Sequence, residues 1–167
     1  MPKAWARPYW KEEKPMQQPW RKRLPHSIPN WVDTDQVIFF ITVCCKDRGK
    51  NVLCYPEKAS AIFETVESRM KWCLWYPRVV LLMPDHLHML VSYNLRLKPM
   101  TEIMSSWKSW CRKNIGINWQ RGFFDHRLRG DESVREKADY ILNNPVRKQY
   151  VREWNDWKYY WLPPEGR

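Results

Sequence analysis

The order of hydrophobic and polar positions along the chain predicts an alternation of strands and helices. Three segments rich in β-branched and aromatic residues predict strands: 37–45, 78–83 and 87–93. Between the first two, residues 56–76 place apolar side chains three and four positions apart, which predicts a helix that begins near Pro56. Residues 99–115 repeat that helical pattern, and 123–129 predict a short strand.

This β-α-β-β-α-β order is typical of a ferredoxin-like, or RRM-like, α+β fold with both helices on one face of the sheet. A further helix is predicted over 132–144. Asp131 or Ser133 can cap it, and Ser133 and Glu136 have the spacing of a capping box. Pro145 is expected to stop the helix. Tyr140 and Asn144 are four residues apart and therefore share a helix face.

The charge indicates a polyanionic partner. The chain of 167 residues carries a net charge of +11, with a pI near 9.6. It also contains 12 Trp, 8 Tyr and 5 Phe, and aromatic rings among cations suit unpaired bases of nucleic acid. Several tryptophans recur at helical spacing, Trp154, Trp157 and Trp161 among them, so most are expected to pack in the core.

Three regions follow from composition: a basic, Pro-rich arm over 1–30, a central domain over 31–151 and a Trp-rich C-terminal tail over 152–167. Seven Lys or Arg and two Glu give the arm a charge of +5. Its densest stretch offers side chains to phosphates and unpaired bases: Trp20, Arg21, Lys22, Arg23 and His26. The alternative is a solvated tail.

The five cysteines form no CxxC pair, which argues against a structural zinc site and is typical of small core residues in a reducing compartment. No signal peptide and no apolar run of membrane-spanning length are visible. We therefore expect a cytoplasmic protein, associated with the nucleoid if its partner is DNA.

His86 and His88 are the main candidates for chemistry. They are two residues apart in a predicted strand, so their side chains point to the same face, as half of a metal site would require. The alternative is two polar residues on a solvated strand face.

Three segments of the chain resemble the single-tyrosine HUH transposases. They are Leu82-Met83-Pro84-Asp85-His86-Leu87-His88-Met89-Leu90-Val91, Phe123-Phe124-Asp125-His126-Arg127 and Tyr140-Ile141-Leu142-Asn143-Asn144-Pro145-Val146-Arg147. Leu24-Pro25-His26, ahead of the first strand, resembles the REP-associated tyrosine transposase branch. The resemblance covers about residues 20–151.

This resemblance implies that His86, His88 and Asn144 bind a divalent metal, Mg²⁺ or Mn²⁺, and that Tyr140 is the nucleophile. It further implies cleavage and rejoining of single-stranded DNA at REP-type hairpins through a 5′-phosphotyrosine. The alternatives are a helix-packing role for Tyr140 and a non-catalytic, domesticated nucleic-acid-binding protein on the same fold.

Other expectations remain open at the level of sequence. Arg127, Arg129 and Arg147 are candidate phosphate ligands, with surface charge as the alternative. His126 has no assigned role, since a contact within the fold is as plausible as a contact to DNA. We expect the protein to bind single-stranded or hairpin DNA and not a membrane. Its state is a monomer or a homodimer, and its active site forms within one chain or between two.

Overall fold

The computed structural model describes residues 37–129 and 132–164. The strands are β1 (Ile38–Cys44), β2 (Trp75–Met83), β3 (His86–Tyr93), β4 (Phe124–Arg127) and β5 (Tyr160–Trp161). The helices are α1 (Pro56–Lys71), α2 (Met100–Ile115), α3 (Val134–Leu142) and α4 (Asn144–Arg147), with a 3₁₀ turn over Trp154–Asp156. The expectations for the basic arm lie outside the described residues.

The five strands form one antiparallel sheet in the order β4-β1-β3-β2-β5. The first four strands have the order of a ferredoxin-like sheet, so the predicted fold is confirmed. Strand β1 alternates buried and half-buried residues, whereas β2 is buried continuously from Val79 to Met83. The continuous burial follows because helices cover both faces of β2.

Helices α1 and α2 pack together on one face of the sheet, as predicted. Their apolar stripes include Ile62 and Val66 of α1 and Ile103 and Trp107 of α2, which are fully buried. The Trp107 indole N–H donates to the hydroxyl of Thr65 at 2.8 Å, so the polar atom of this large buried ring is satisfied. This face is the main hydrophobic core.

Helix α1 ends five residues before the predicted boundary. Cys73 has a φ of 56°, a left-handed conformation that ends the helix and turns the chain into β2. The apolar residues that extended the helical pattern belong to the sheet: Trp75 is fully buried in β2 and donates to the carbonyl of Val66. Cys73 is exposed, although the cysteines were expected to be core residues, and Trp110 of α2 is exposed as well.

Helix α3 covers the opposite face of the sheet. Ile141 and Leu142 pack against Val79, Leu81 and Leu90 in a second, smaller core. The Ser133 hydroxyl accepts from the Glu136 amide at 3.2 Å, which confirms the predicted N-cap. The helix ends at Leu142 instead of Asn144, and Pro145 stands in the first turn of the short helix α4, where its missing N–H costs nothing.

The predicted Trp-rich tail forms part of the sheet. Tyr160 and Trp161 pair with Leu81 and Val80 as edge strand β5. The indole N–H of Trp157 donates to the Leu82 carbonyl at 2.9 Å, and Trp161 is buried. The helical spacing of these tryptophans was misleading, because the free edge of β2 offers backbone partners that favour an extended chain.

Within the described residues, no helix is long and apolar enough to cross a membrane. The five cysteines are free thiols.

Candidate active site

The two histidines of the HxH pair lie at the start of β3, an interior strand of the sheet. His88 is opposite Thr42 of β1, and His86 is opposite Cys44. Both imidazoles point to the face covered by α3, with ring centroids 4.8 Å apart and ring planes at 81°. The strand therefore brings the two rings side by side, as the sequence predicts.

Each imidazole is held through its Nδ1 atom. His86 Nδ1 is 2.6 Å from Asp85 Oδ1, and His88 Nδ1 is 2.8 Å from Thr42 Oγ1. A carboxylate only accepts hydrogen bonds, so His86 donates from Nδ1 and keeps the lone pair of Nε2. Neither Nε2 has a hydrogen-bond partner among the described residues, and this is the arrangement that orients histidine ligands in metal sites.

Asp85 is in turn held by the loop that follows β1. Its Oδ2 accepts from the Gly49 amide at 2.8 Å and lies 3.3 Å from Arg48 Nε. Gly49 has a φ of 73°, a left-handed backbone conformation that residues with a Cβ atom rarely adopt. Burial raises the pKa of Asp85, but the hydrogen bonds from Gly49 and His86 and the Arg48 charge bring it below its ordinary value.

Both imidazoles are neutral at neutral pH. Burial, followed by the neighbouring charges of His86, Arg147 and Arg48, lowers the pKa of His88 to about 3. Burial also lowers the pKa of His86, although the contact with Asp85 opposes the shift. A neutral imidazole is the form that binds a metal ion.

Tyr140 lies on the same face as the histidines and belongs to the same chain. Its side chain is about half exposed, and its ring meets that of Phe40 edge to face, with centroids 6.5 Å apart. Phe40 also stacks on His88 at 5.5 Å. The phenylalanine thus connects the candidate nucleophile to the candidate metal ligands.

Arg147 connects Tyr140 to Asn144. Its guanidinium lies 3.7 Å from the centroid of the Tyr140 ring, and one of its N–H groups donates to Asn144 Oδ1 at 2.9 Å. Asn144 is buried, and its Nδ2 has no hydrogen-bond partner among the described residues. Arg147, predicted as a phosphate ligand, is therefore part of the site.

The donor set fits a divalent metal. The Nε2 lone pair of His86 suits Mn²⁺, as does that of His88 in the tautomer whose Nδ1 donates to the Thr42 hydroxyl. The Asn144 carbonyl oxygen has a second lone pair beside the one that Arg147 uses. Within 37–129 and 132–164, no three His, Cys, Asp or Glu side chains cluster as a metal site.

The other predicted DNA ligands are placed differently. Arg127 pairs with Phe39, whose side chain belongs to the α1–α2 core, so Arg127 points away from the histidine face. Arg129 is exposed after β4. Trp20, Arg21, Lys22, Arg23 and His26 lie outside the described residues.

His126 makes a contact within the fold. Its Nε2 lies 3.0 Å from each carboxylate oxygen of Glu132, in the connection that leads to α3. The contact of His126 with Glu132 is thus one within the fold, the first of the two alternatives that the sequence left open.

Sequence reasoning missed the groups that hold the site: Phe40, Thr42, Arg48 and Asp85. Asp85 alone had a usable signal, as a carboxylate directly before the first histidine. Phe40 and Thr42 come from β1, and their proximity to the site depends on strand register.

Comparison with known proteins agrees with this geometry, although no family model matches the chain. A Haemophilus influenzae protein assigned as a REP-associated tyrosine transposase is 29% identical, over 73% of this chain and 77% of its own. The Escherichia coli REP-associated tyrosine transposase is 38% identical over a shorter segment, 28% of this chain and 27% of its own.

The fold is also found among solved structures. A REP-associated tyrosine transposase, solved bound to a REP hairpin, superposes with a TM-score of 0.65 over 82% of both chains. The two sequences are 18% identical, so this likeness concerns the fold.

This chain has the arrangement that the resemblance to single-tyrosine HUH transposases implies: an antiparallel ferredoxin-like sheet, an HxH pair on an interior strand and a tyrosine helix over it. In sequence and in fold the chain is thus similar to REP-associated tyrosine transposases.

Proposed function

We propose that the protein is a metal-dependent endonuclease and strand transferase for single-stranded DNA, acting at REP-type hairpins. The observation that carries the proposal is the chain of ring contacts from Tyr140 through Phe40 to His88. It brings a half-exposed phenol to the face on which two neutral imidazoles present free nitrogen atoms. The solved relative bound to a REP hairpin supports the choice of substrate.

In the proposed reaction, Tyr140 Oη attacks the scissile phosphorus. A tyrosine–phosphate bond forms, the bond from phosphorus to the 3′-oxygen breaks, and the proton released by the phenol is balanced by one gained at the 3′-oxygen. The product is a 5′-phosphotyrosine with a free 3′-hydroxyl. Since the linkage remains a phosphodiester, attack by another 3′-hydroxyl reverses the step and rejoins DNA without ATP.

The side chains around Tyr140 have distinct proposed roles. The residues that would hold Mg²⁺ or Mn²⁺ are His86, His88 and Asn144, the last through its side-chain oxygen. The bound ion would supply positive charge that polarises the scissile phosphate. Asp85 and Thr42 keep the imidazoles turned toward that position. Arg147, stacked on the tyrosine ring, places a permanent positive charge where the phosphate must approach.

The test is formation of a covalent protein–oligonucleotide adduct. Purified protein is incubated with Mn²⁺ and a single-stranded REP hairpin carrying its 5′ and 3′ flanks, and a denaturing gel separates the adduct. Tyr140→Phe should abolish the adduct and leave hairpin affinity nearly unchanged, because the ring still packs on Phe40 while the attacking oxygen is gone. Tyr150→Phe, in a second exposed tyrosine, is the matched control and should react normally.

An adduct with the Tyr140→Phe variant would assign the nucleophile to another residue. Hairpin binding without any adduct in the unaltered protein would instead favour a non-catalytic nucleic-acid-binding protein.

A further inference from the structure

A single carboxylate, that of Glu132, joins β4 to the helix that carries Tyr140. His126 Nε2 of β4 lies 3.0 Å from both of its oxygens. The Arg129 amide donates to Oε2 at 2.9 Å, and Lys137 Nζ of α3 lies 3.3 Å from Oε1. The strand, the connection and the helix therefore share one acceptor group.

Sheet register turns His126 toward this acceptor. His126 is opposite Phe40, so its ring lies on the face that carries Phe40 and the HxH pair. Its Nε2 must donate, since the carboxylate can only accept at neutral pH. The backbone hydrogen bond from Arg129, followed by the one from His126, lowers the pKa of Glu132 to about 2, so the acceptor remains charged.

Helix α3 has few other contacts near its start. It is nine residues long, and its buried residues, Ile141 and Leu142, are at its C-terminal end. Val134 and Ala138 are only half-buried. A helix this short is not stable alone, so its position depends on the groups that anchor it.

We propose that Glu132 and His126 are positioning residues that fix the start of α3 on β4 and thereby hold Tyr140 over the HxH pair. The inference rests on the proposed function of Tyr140. The proposal gives a role to His126, which lies on the same sheet face as the HxH pair without contacting it. Without these hydrogen bonds, α3 keeps its C-terminal packing but its first turns separate from the sheet edge.

The main test compares Glu132→Gln with Glu136→Gln. Both replace a carboxylate near the start of α3, but the Glu136 side chain makes no hydrogen bond or ion pair among the described residues. A misplacement of about 1 Å costs roughly 100-fold in rate, so adduct formation should slow about 10- to 100-fold in Glu132→Gln. Hairpin and Mn²⁺ affinities should not change, and Glu136→Gln should match the unaltered protein.

A second pair of variants tests His126. Glutamine carries an N–H₂ group that can donate to Glu132, whereas leucine fills similar space without a donor. His126→Gln should therefore retain most of the rate of adduct formation, and His126→Leu should reproduce the slower rate of Glu132→Gln. Equal rates in the two His126 variants would overturn the role of this hydrogen bond.

Hydrogen exchange of the α3 amides is the readout that does not require cleavage. Exchange should accelerate in Glu132→Gln, strongest at the start of the helix, and remain unchanged in Glu136→Gln. If the unaltered protein forms no adduct, the proposed function fails while the exchange comparison still tests the anchor. Identical exchange in the two variants, or a joint loss of Mn²⁺ and hairpin binding in Glu132→Gln, would overturn the proposal.

Discussion

Phe40 shows how a residue without chemistry of its own organises the site. Its ring stacks on His88 and meets Tyr140 edge to face, so it sets the spacing between the candidate ligand and nucleophile. Asp85 and Thr42 act similarly on the imidazoles, by occupying each Nδ1. The reactive groups are thus oriented by neighbours from β1 and from the β2–β3 turn.

Asp85→Asn should weaken Mn²⁺ binding by about 10- to 100-fold, the usual cost of removing a partner that orients a histidine ligand. An asparagine side chain has a single carbonyl oxygen and cannot accept from both His86 and Gly49 in the manner of the carboxylate. Titration of Mn²⁺ by electron paramagnetic resonance measures the affinity. Asp47→Asn, the same change at an exposed position of the loop after β1 that contacts Asp85, should have no effect. Equal affinities in the two variants would contradict the orienting role.

His86→Ala and His88→Ala should each remove metal-stimulated cleavage. The double variant should be little worse than either single variant, because ligands of one ion act as a unit and the effects of removing them do not add. Rates of hairpin cleavage across a Mn²⁺ series measure this. Full activity in either single variant would contradict a metal-binding role and support the alternative, in which His86 and His88 are polar residues on a solvated strand face.

At the scale of elements, β5 converts the C-terminal segment into part of the sheet. Trp161 is buried against the α1–α2 core, and its indole N–H donates to Glu67 at 3.1 Å. Trp157 and Tyr150 stack with ring centroids 5.6 Å apart, and the Trp157 indole N–H donates to the Leu82 carbonyl of β2. These aromatic residues pack the edge of β2, which explains part of the tryptophan content without invoking nucleic acid.

Trp161→Ala should lower the free energy of unfolding by about 3 kcal/mol, the usual cost of truncating a buried aromatic ring. Trp72→Ala removes a ring that is 62% exposed and should change the free energy of unfolding by less than about 0.5 kcal/mol. Urea unfolding followed by circular dichroism compares them. A similar small effect in both variants would mean that β5 contributes little to the stability of the sheet.

At the scale of the whole molecule, charge is distributed unevenly along the chain. Residues 1–30 carry +5 of the net +11. The site itself contributes Arg48 and Arg147, both close enough to lower the pKa of His88. We expect the basic arm to add phosphate contacts to those made near the site, so that binding of a DNA hairpin depends on both.

Deletion of residues 1–27 should weaken hairpin binding and reduce its salt sensitivity, while the fold survives. Removing one Lys or Arg that binds a phosphate should flatten the log–log slope of affinity against salt by roughly 0.7 to 0.9. Replacing only Trp20 and His26 should instead reduce discrimination between hairpin sequences at an unchanged slope. Fluorescence anisotropy over a salt series measures both. If deletion changes neither affinity nor slope, the arm takes no part in recognition.

The sequence alone determined the elements and the reactive groups. Periodicity located the four main strands, the first two helices and the capped start of α3, because local patterns of burial repeat at 2.0 or 3.6 residues. The two-residue spacing placed His86 and His88 on one strand face for the same reason. Tyr140 and Asn144 were identified through the family resemblance, and their proposed roles in catalysis and metal binding remain predictions.

Only the tertiary structure decided which distant residues meet. Strand register brings Phe40 and Thr42 to His88 and turns Arg127 away, and a change of one residue in register would reverse both outcomes. The contact of His126 with Glu132 and the pairing of β5 with β2 depend on where α3 and the C-terminal segment return to the sheet. These contacts join residues that are far apart in sequence or lie across a turn, so no local sequence pattern predicts them. They form because they lower the free energy of packing the whole chain.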